Sequence, residues 1–118
     1  MFFKKKKKKE KESYKYQLIE PSGVKNDPTI VEVLESFGHF QYEPNHFTVL
    51  TVGEPEKFHS IQVSQSGDDQ YQVELIPAED ENLYYLENIT GDERNKLFKE
   101  FYETKRIQGW ENWSKSFR

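Results

Sequence analysis

The chain has no cysteine. That removes disulfide staples, thiolate ligation of zinc and thiol chemistry together, and it suits a reducing compartment. No stretch approaches the ~20 apolar residues that a membrane-spanning helix needs. Met1-Phe2-Phe3 runs directly into lysines, without the apolar segment that follows the charges of a secretory signal. Glycine is sparse, with residues 23, 38, 53, 67, 91 and 109 each standing alone. A loop that cradles phosphate needs clustered glycines so that backbone can approach the anion, so nucleotide binding of that kind is not expected. The three histidines, His39, His46 and His59, include no pair at i,i+4, and no H-E-x-x-H frame surrounds them. Neither a twelve-residue EF-hand loop nor a G-x-S-x-G elbow occurs. These absences predict a cytoplasmic protein that is not an enzyme and carries no cofactor and no metal.

Aromatic side chains are abundant, with nine Phe, seven Tyr and two Trp. Disordered chains are poor in rings because they cannot offset chain entropy by burial. At 118 residues the length suits one domain with one core. Each buried ring can remove about 150–250 Å² from water, so that core is expected to be built largely from rings.

The net charge of −4 conceals a division. Residues 1–13 carry seven lysines against two glutamates, a net +5, whereas residues 14–118 carry ten Lys and Arg against nineteen Asp and Glu, a net −9. Blocks of like charge repel themselves and stay unfolded as interaction tails. The expected organisation is a disordered basic tail over residues 1–13 joined to a single acidic domain over residues 14–118. The tail offers candidate contacts to an anionic surface: Phe2 and Phe3, which could enter a membrane interface, and Lys4, Lys5, Lys6, Lys7, Lys8 and Lys9. Nucleic acid is not expected as a partner, because the acidic body presents no basic face.

Along the body, Tyr14 to Glu20 has the content of a strand, ended by Pro21-Ser22-Gly23. Asp27-Pro28 reads as a helix cap followed by proline at the first helical position, with Ile30, Val31, Leu34 and Phe37 at helical spacing. Phe47 to Val52, Phe58 to Gln65, Gln70 to Ile76 and Leu83 to Ile89 read as four strands joined by short connections. Thr90 with Glu93 forms a capping box. It opens a helix whose apolar face holds Leu97, Phe98, Phe101 and Tyr102. Trp110, Trp113 and Phe117 follow Gly109 at near-helical spacing. The predicted fold is α+β: a two-layer sandwich in β-α-β-β-β-β-α order, with two helices on one face of an antiparallel sheet of four to five strands.

Paired carboxylates at Asp68-Asp69, Glu79-Asp80-Glu81 and Asp92-Glu93 fall in polar turns or at a helix start. There water solvates them, and acid–base chemistry is not favoured. Adjacent Tyr84 and Tyr85 must face opposite sides of one strand. Trp110 and Trp113 lie near the C-terminus, and Trp and Tyr are enriched at binding hot spots. The candidate interaction residues are therefore Tyr84, Tyr85, Trp110, Trp113, Glu79, Asp80 and Glu81. The expected function is a non-enzymatic, acidic protein-binding module, immunity- or inhibitor-like in charge and size, that engages a basic partner protein. Alternatives are a peripheral membrane accessory protein held weakly by the tail, and an enzyme of unrecognised type.

Overall fold

The computed structural model describes residues 14–117. The tail expected over residues 1–13, with Phe2, Phe3 and Lys4 to Lys9, lies outside the described residues. So do the boundary and tether readings that depend on it.

Seven strands form one antiparallel sheet: β1 (Tyr16–Glu20), β2 (Gly23–Asn26), β3 (Phe47–Val52), β4 (Phe58–Gly67), β5 (Gln70–Pro77), β6 (Asn82–Ile89) and β7 (Ser114–Phe117). Their spatial order is β2-β1-β3-β4-β5-β6-β7. The predicted α+β sandwich of four to five strands is thereby corrected. Strand accounts for 43% of the structure and helix for 28%, so the fold is mostly β with two short helices.

The two unforeseen strands are the two edges. Every residue of β2 and of β7 is exposed. Strand patterns become readable when alternate residues are buried, and these edges pair through backbone without burying either face. At the C-terminus, the spacing of Trp110, Trp113 and Phe117 suggested a helix. Instead, a 3-10 turn at Trp110–Asn112 leads into β7.

Helix α1 (Ile30–Ser36) is capped by Thr29 and not by Asp27. Thr29 Oγ1 accepts from the Glu32 amide at 3.1 Å, and the Glu32 carboxylate accepts from the Thr29 amide at 2.8 Å. This is the reciprocal capping box. Asp27 instead has a left-handed backbone (φ 52°), and its carboxylate accepts from the Lys15 amide at 2.7 Å. Its side chain thus fastens the entrance to β1. Helix α2 (Gly91–Thr104) starts with the Thr90–Glu93 capping box.

Both helices pack on the side of the sheet that carries Leu50, Ile61, Val63, Val73 and Leu75, all buried. Phe98 and Phe101 of α2 are fully buried in that layer. The far end of α2 is tied to β1 by Tyr16. Its hydroxyl donates to the Phe101 carbonyl at 3.3 Å and to the neighbouring Tyr102 carbonyl, while the Tyr16 and Tyr102 rings stack at 5.0 Å. Burial pushes the Tyr16 hydroxyl up to about 12, with the neighbouring Tyr102 adding to the effect. Strands β4 and β5 run the length of the sheet, so their hairpin has one end at Phe58 and Pro77 and the other at Asp68 and Asp69.

Candidate functional site

At the Phe58–Pro77 end, the connection from β5 to β6 is shaped by Asp80. Its Oδ1 accepts from the Asn82 amide at 3.0 Å and from the Asn82 side-chain amide at 2.9 Å, the self-bonding that makes Asp a turn residue. Its other oxygen, Oδ2, accepts from the Tyr84 hydroxyl at 3.2 Å. The Asn82 amide is the main reason that the Asp80 carboxyl is held below the usual carboxylate range, and the bond from Tyr84 adds to it. Tyr84 responds in the opposite sense, its hydroxyl raised by burial first and by Asp80 second.

The 3-10 turn brings Trp110 over this connection. Its ring meets Tyr84 edge-on at 5.0 Å and Phe58 edge-on at 5.3 Å. Glu56, Glu79 and Asp80 line the same cleft of about 220 Å³, with Lys57. Lys57 Nζ sits 4.9 Å from the centre of the Trp110 ring. Glu56 also meets Arg106 at 4.0 Å, a contact between two well-exposed groups. The cleft therefore has an aromatic floor, three carboxylates on its walls, and one lysine already over the floor.

Of the residues singled out in the sequence, Tyr84, Trp110, Glu79 and Asp80 line this cleft together. Tyr85 does not. It pairs with Glu74 on one side and Ser114 on the other, on the face of the sheet away from the helices. Glu81 is exposed beside the cleft without lining it. Trp113 is half-buried against the rim of the core. Glu56, Lys57 and Phe58 complete the cleft. They lie more than twenty residues before Glu79, so only the β4–β5 pairing brings them there.

The histidines also separate. His46 is buried, and its Nε2 lies 3.3 Å from Ser36 Oγ and 3.0 Å from Thr48 Oγ1, while those two oxygens are 2.6 Å apart. Ser36 and Thr48 are buried as well. This Ser–His–Thr knot links α1 to β3 through mutually satisfied polar groups, and its burial keeps a substrate from its oxygens. Burial lowers the His46 pKa, His39 lowers it further, and Glu20 and Glu43 pull against both.

One residue carried a signal that the sequence reading missed. Arg94 stands four positions before Phe98 and seven before Phe101, on the apolar stripe of α2, where a cation is out of pattern. It is 8% exposed. Comparison with known protein families, curated proteins and solved structures finds no match to this chain.

Proposed function

We propose that the protein is a non-enzymatic binding module of the cytoplasm, immunity- or inhibitor-like, which receives a basic side chain of a partner protein in the acidic cleft. The supporting observation is Lys57 Nζ at 4.9 Å from the Trp110 ring centre, in a cleft that Glu56, Glu79 and Asp80 also line. A cation over an indole face gains about 0.5–1 kcal/mol at an exposed site and about 2 kcal/mol or more when water is excluded. Lys57 thus stands in for an incoming arginine or lysine, and it is exposed enough to swing aside. The flanking carboxylates supply steering, which speeds association and weakens with salt. Among the described residues no helix is long and apolar enough to cross a membrane.

The test is cross-linking and identification of partners in cell lysate, with the intact protein and with a Glu56→Gln, Glu79→Gln, Asp80→Asn variant. A basic partner should be captured by the intact protein at low salt, and its capture should fall for the variant. Both differences should shrink toward ~1 M salt, where the Debye length is about 3 Å. Equal capture by intact protein and variant at low salt would exclude the cleft as the docking surface.

A further inference from the structure

The opposite end of the β4–β5 hairpin holds a cavity of about 660 Å³ that includes Arg94 in its lining. Its lining is mixed: Leu34, Phe37, Phe40 and Tyr71 share it with polar Gln41 and Gln65, and with Asp68 and Asp69. The Arg94 guanidinium carbon lies 4.3 Å from the Phe37 ring centre and 4.4 Å from that of Tyr71. Both rings lie within cation–π distance of the guanidinium.

One edge is used. Nε and Nη2 both donate to Asn95 Oδ1 at 3.1 Å. A guanidinium has five N–H donors, and these two bonds leave three. Among the described residues Arg94 Nη1 is buried and has no hydrogen-bond partner. Among the described residues no carboxylate lies within ion-pair distance of Arg94. Asp69 lines the same cavity beyond that distance, and its Oδ1 accepts from the Gly91 amide at 3.0 Å. An unpaired buried donor on a charged group is costly, and a cation buried without a counter-ion more so.

We propose that this cavity binds a small organic carboxylate, with its carboxylate on the Arg94 guanidinium and its apolar body against Phe40 and Leu34. The planar fork of guanidinium donors matches the two oxygens of a carboxylate. The apolar side chains in the lining face the body attached to it. Asp68 and Asp69 in the lining select the charge: a monoanion is tolerated, whereas a phosphate dianion meets twice the repulsion. The site is independent of the acidic cleft, and the length of β4 separates the two.

The experiment is isothermal titration calorimetry of the full chain with four probes: benzoate, cyclohexanecarboxylate, benzyl alcohol and inorganic phosphate. Both carboxylates should bind saturably, and each should bind at least roughly tenfold more tightly than benzyl alcohol or phosphate. Two variants separate binding from folding. Arg94→Lys keeps the charge and loses the fork, so it should weaken benzoate by roughly tenfold. Gly38 lines the cavity, and a Cβ built there meets nothing within 4 Å. Gly38→Leu should therefore fold normally, with an unchanged thermal melt, and weaken benzoate by obstructing its seat. Benzoate binding unchanged in Gly38→Leu would overturn the proposal. So would benzyl alcohol or phosphate matching benzoate in the intact protein, or no saturable heat from either carboxylate.

Discussion

Phe101 anchors α2 to the sheet, and truncating it to Ala tests the packing directly. The side chain is fully buried. A buried Phe removes about 150–250 Å² from water, which at ~25 cal/mol per Å² corresponds to ~4–6 kcal/mol. Alanine retains the Cβ, so the expected loss is ~3–5 kcal/mol, the usual range for a Phe truncated in a core. The Phe101 carbonyl accepts from the Tyr16 hydroxyl at 3.3 Å and from the Lys105 amide at 2.7 Å. Both bonds use backbone that the substitution leaves in place, so the change isolates the ring. Domains of this size are stable by only ~5–15 kcal/mol, so the loss is about a fifth or more of the total. The midpoint should fall by roughly 10–25 °C, taking ~3–5 °C per kcal/mol between the values for smaller and larger domains. Urea unfolding followed by circular dichroism is the assay, and the slope with denaturant should hold, because that slope tracks the surface exposed on unfolding. Glu103→Ala, on the exposed side of α2, should change stability by less than ~0.5 kcal/mol. A Phe101→Ala loss below ~1 kcal/mol at unchanged slope would refute the assigned helix face.

The remaining predictions concern pH, backbone clearance and a buried hydroxyl. Because the fold lowers the His46 pKa from its ordinary 6.5, the unfolded chain takes up that proton first as pH falls. Stability should hold above about pH 6.5 and decline below it. His46→Gln should flatten that decline in thermal melts between about pH 6.5 and 5.5, and an unchanged slope would assign the effect to other groups. At Gly53 an added Cβ would stand 2.0 Å from the Tyr14 carbonyl oxygen. Gly53→Ala should therefore cost ~1–3 kcal/mol in urea unfolding, since backbone must move, whereas Gly38→Ala should cost far less. Tyr16→Phe leaves the Phe101 and Tyr102 carbonyls without their side-chain donor and should cost ~1–2 kcal/mol. The intact protein should also lose stability as pH rises from 10 toward 12, because the fold raises that hydroxyl to about 12. The Tyr16→Phe variant should lack that part of the alkaline loss, read from melts across the same range.

Sequence alone determined the elements that bury a face. The β4 and β5 strands and the apolar stripe of α2 are legible because burial imposes a period of two or of 3.6. Thr90 and Glu93 announce the start of α2 because the capping box is local chemistry, complete within four residues. Local chemistry misled once, at Asp27. It resembles a cap in sequence, yet its carboxylate serves the Lys15 amide twelve residues back, and Thr29 caps the helix instead.

The tertiary structure decided the rest. Edge strands β2 and β7 are held by backbone pairing that leaves all their side chains exposed, so no pattern in the sequence records them. Trp110 and Tyr84 could be singled out by residue type, but not their meeting with Glu56 and Lys57, which depends on the register between β4 and β5. Arg94 shows the division most sharply. Its place on an apolar stripe is visible in the chain. Its confinement between Phe37 of the 3-10 turn after α1 and Tyr71 of β5 exists only once helix, turn and sheet have closed around it, because contacts between distant segments are a property of packing and not of local propensity.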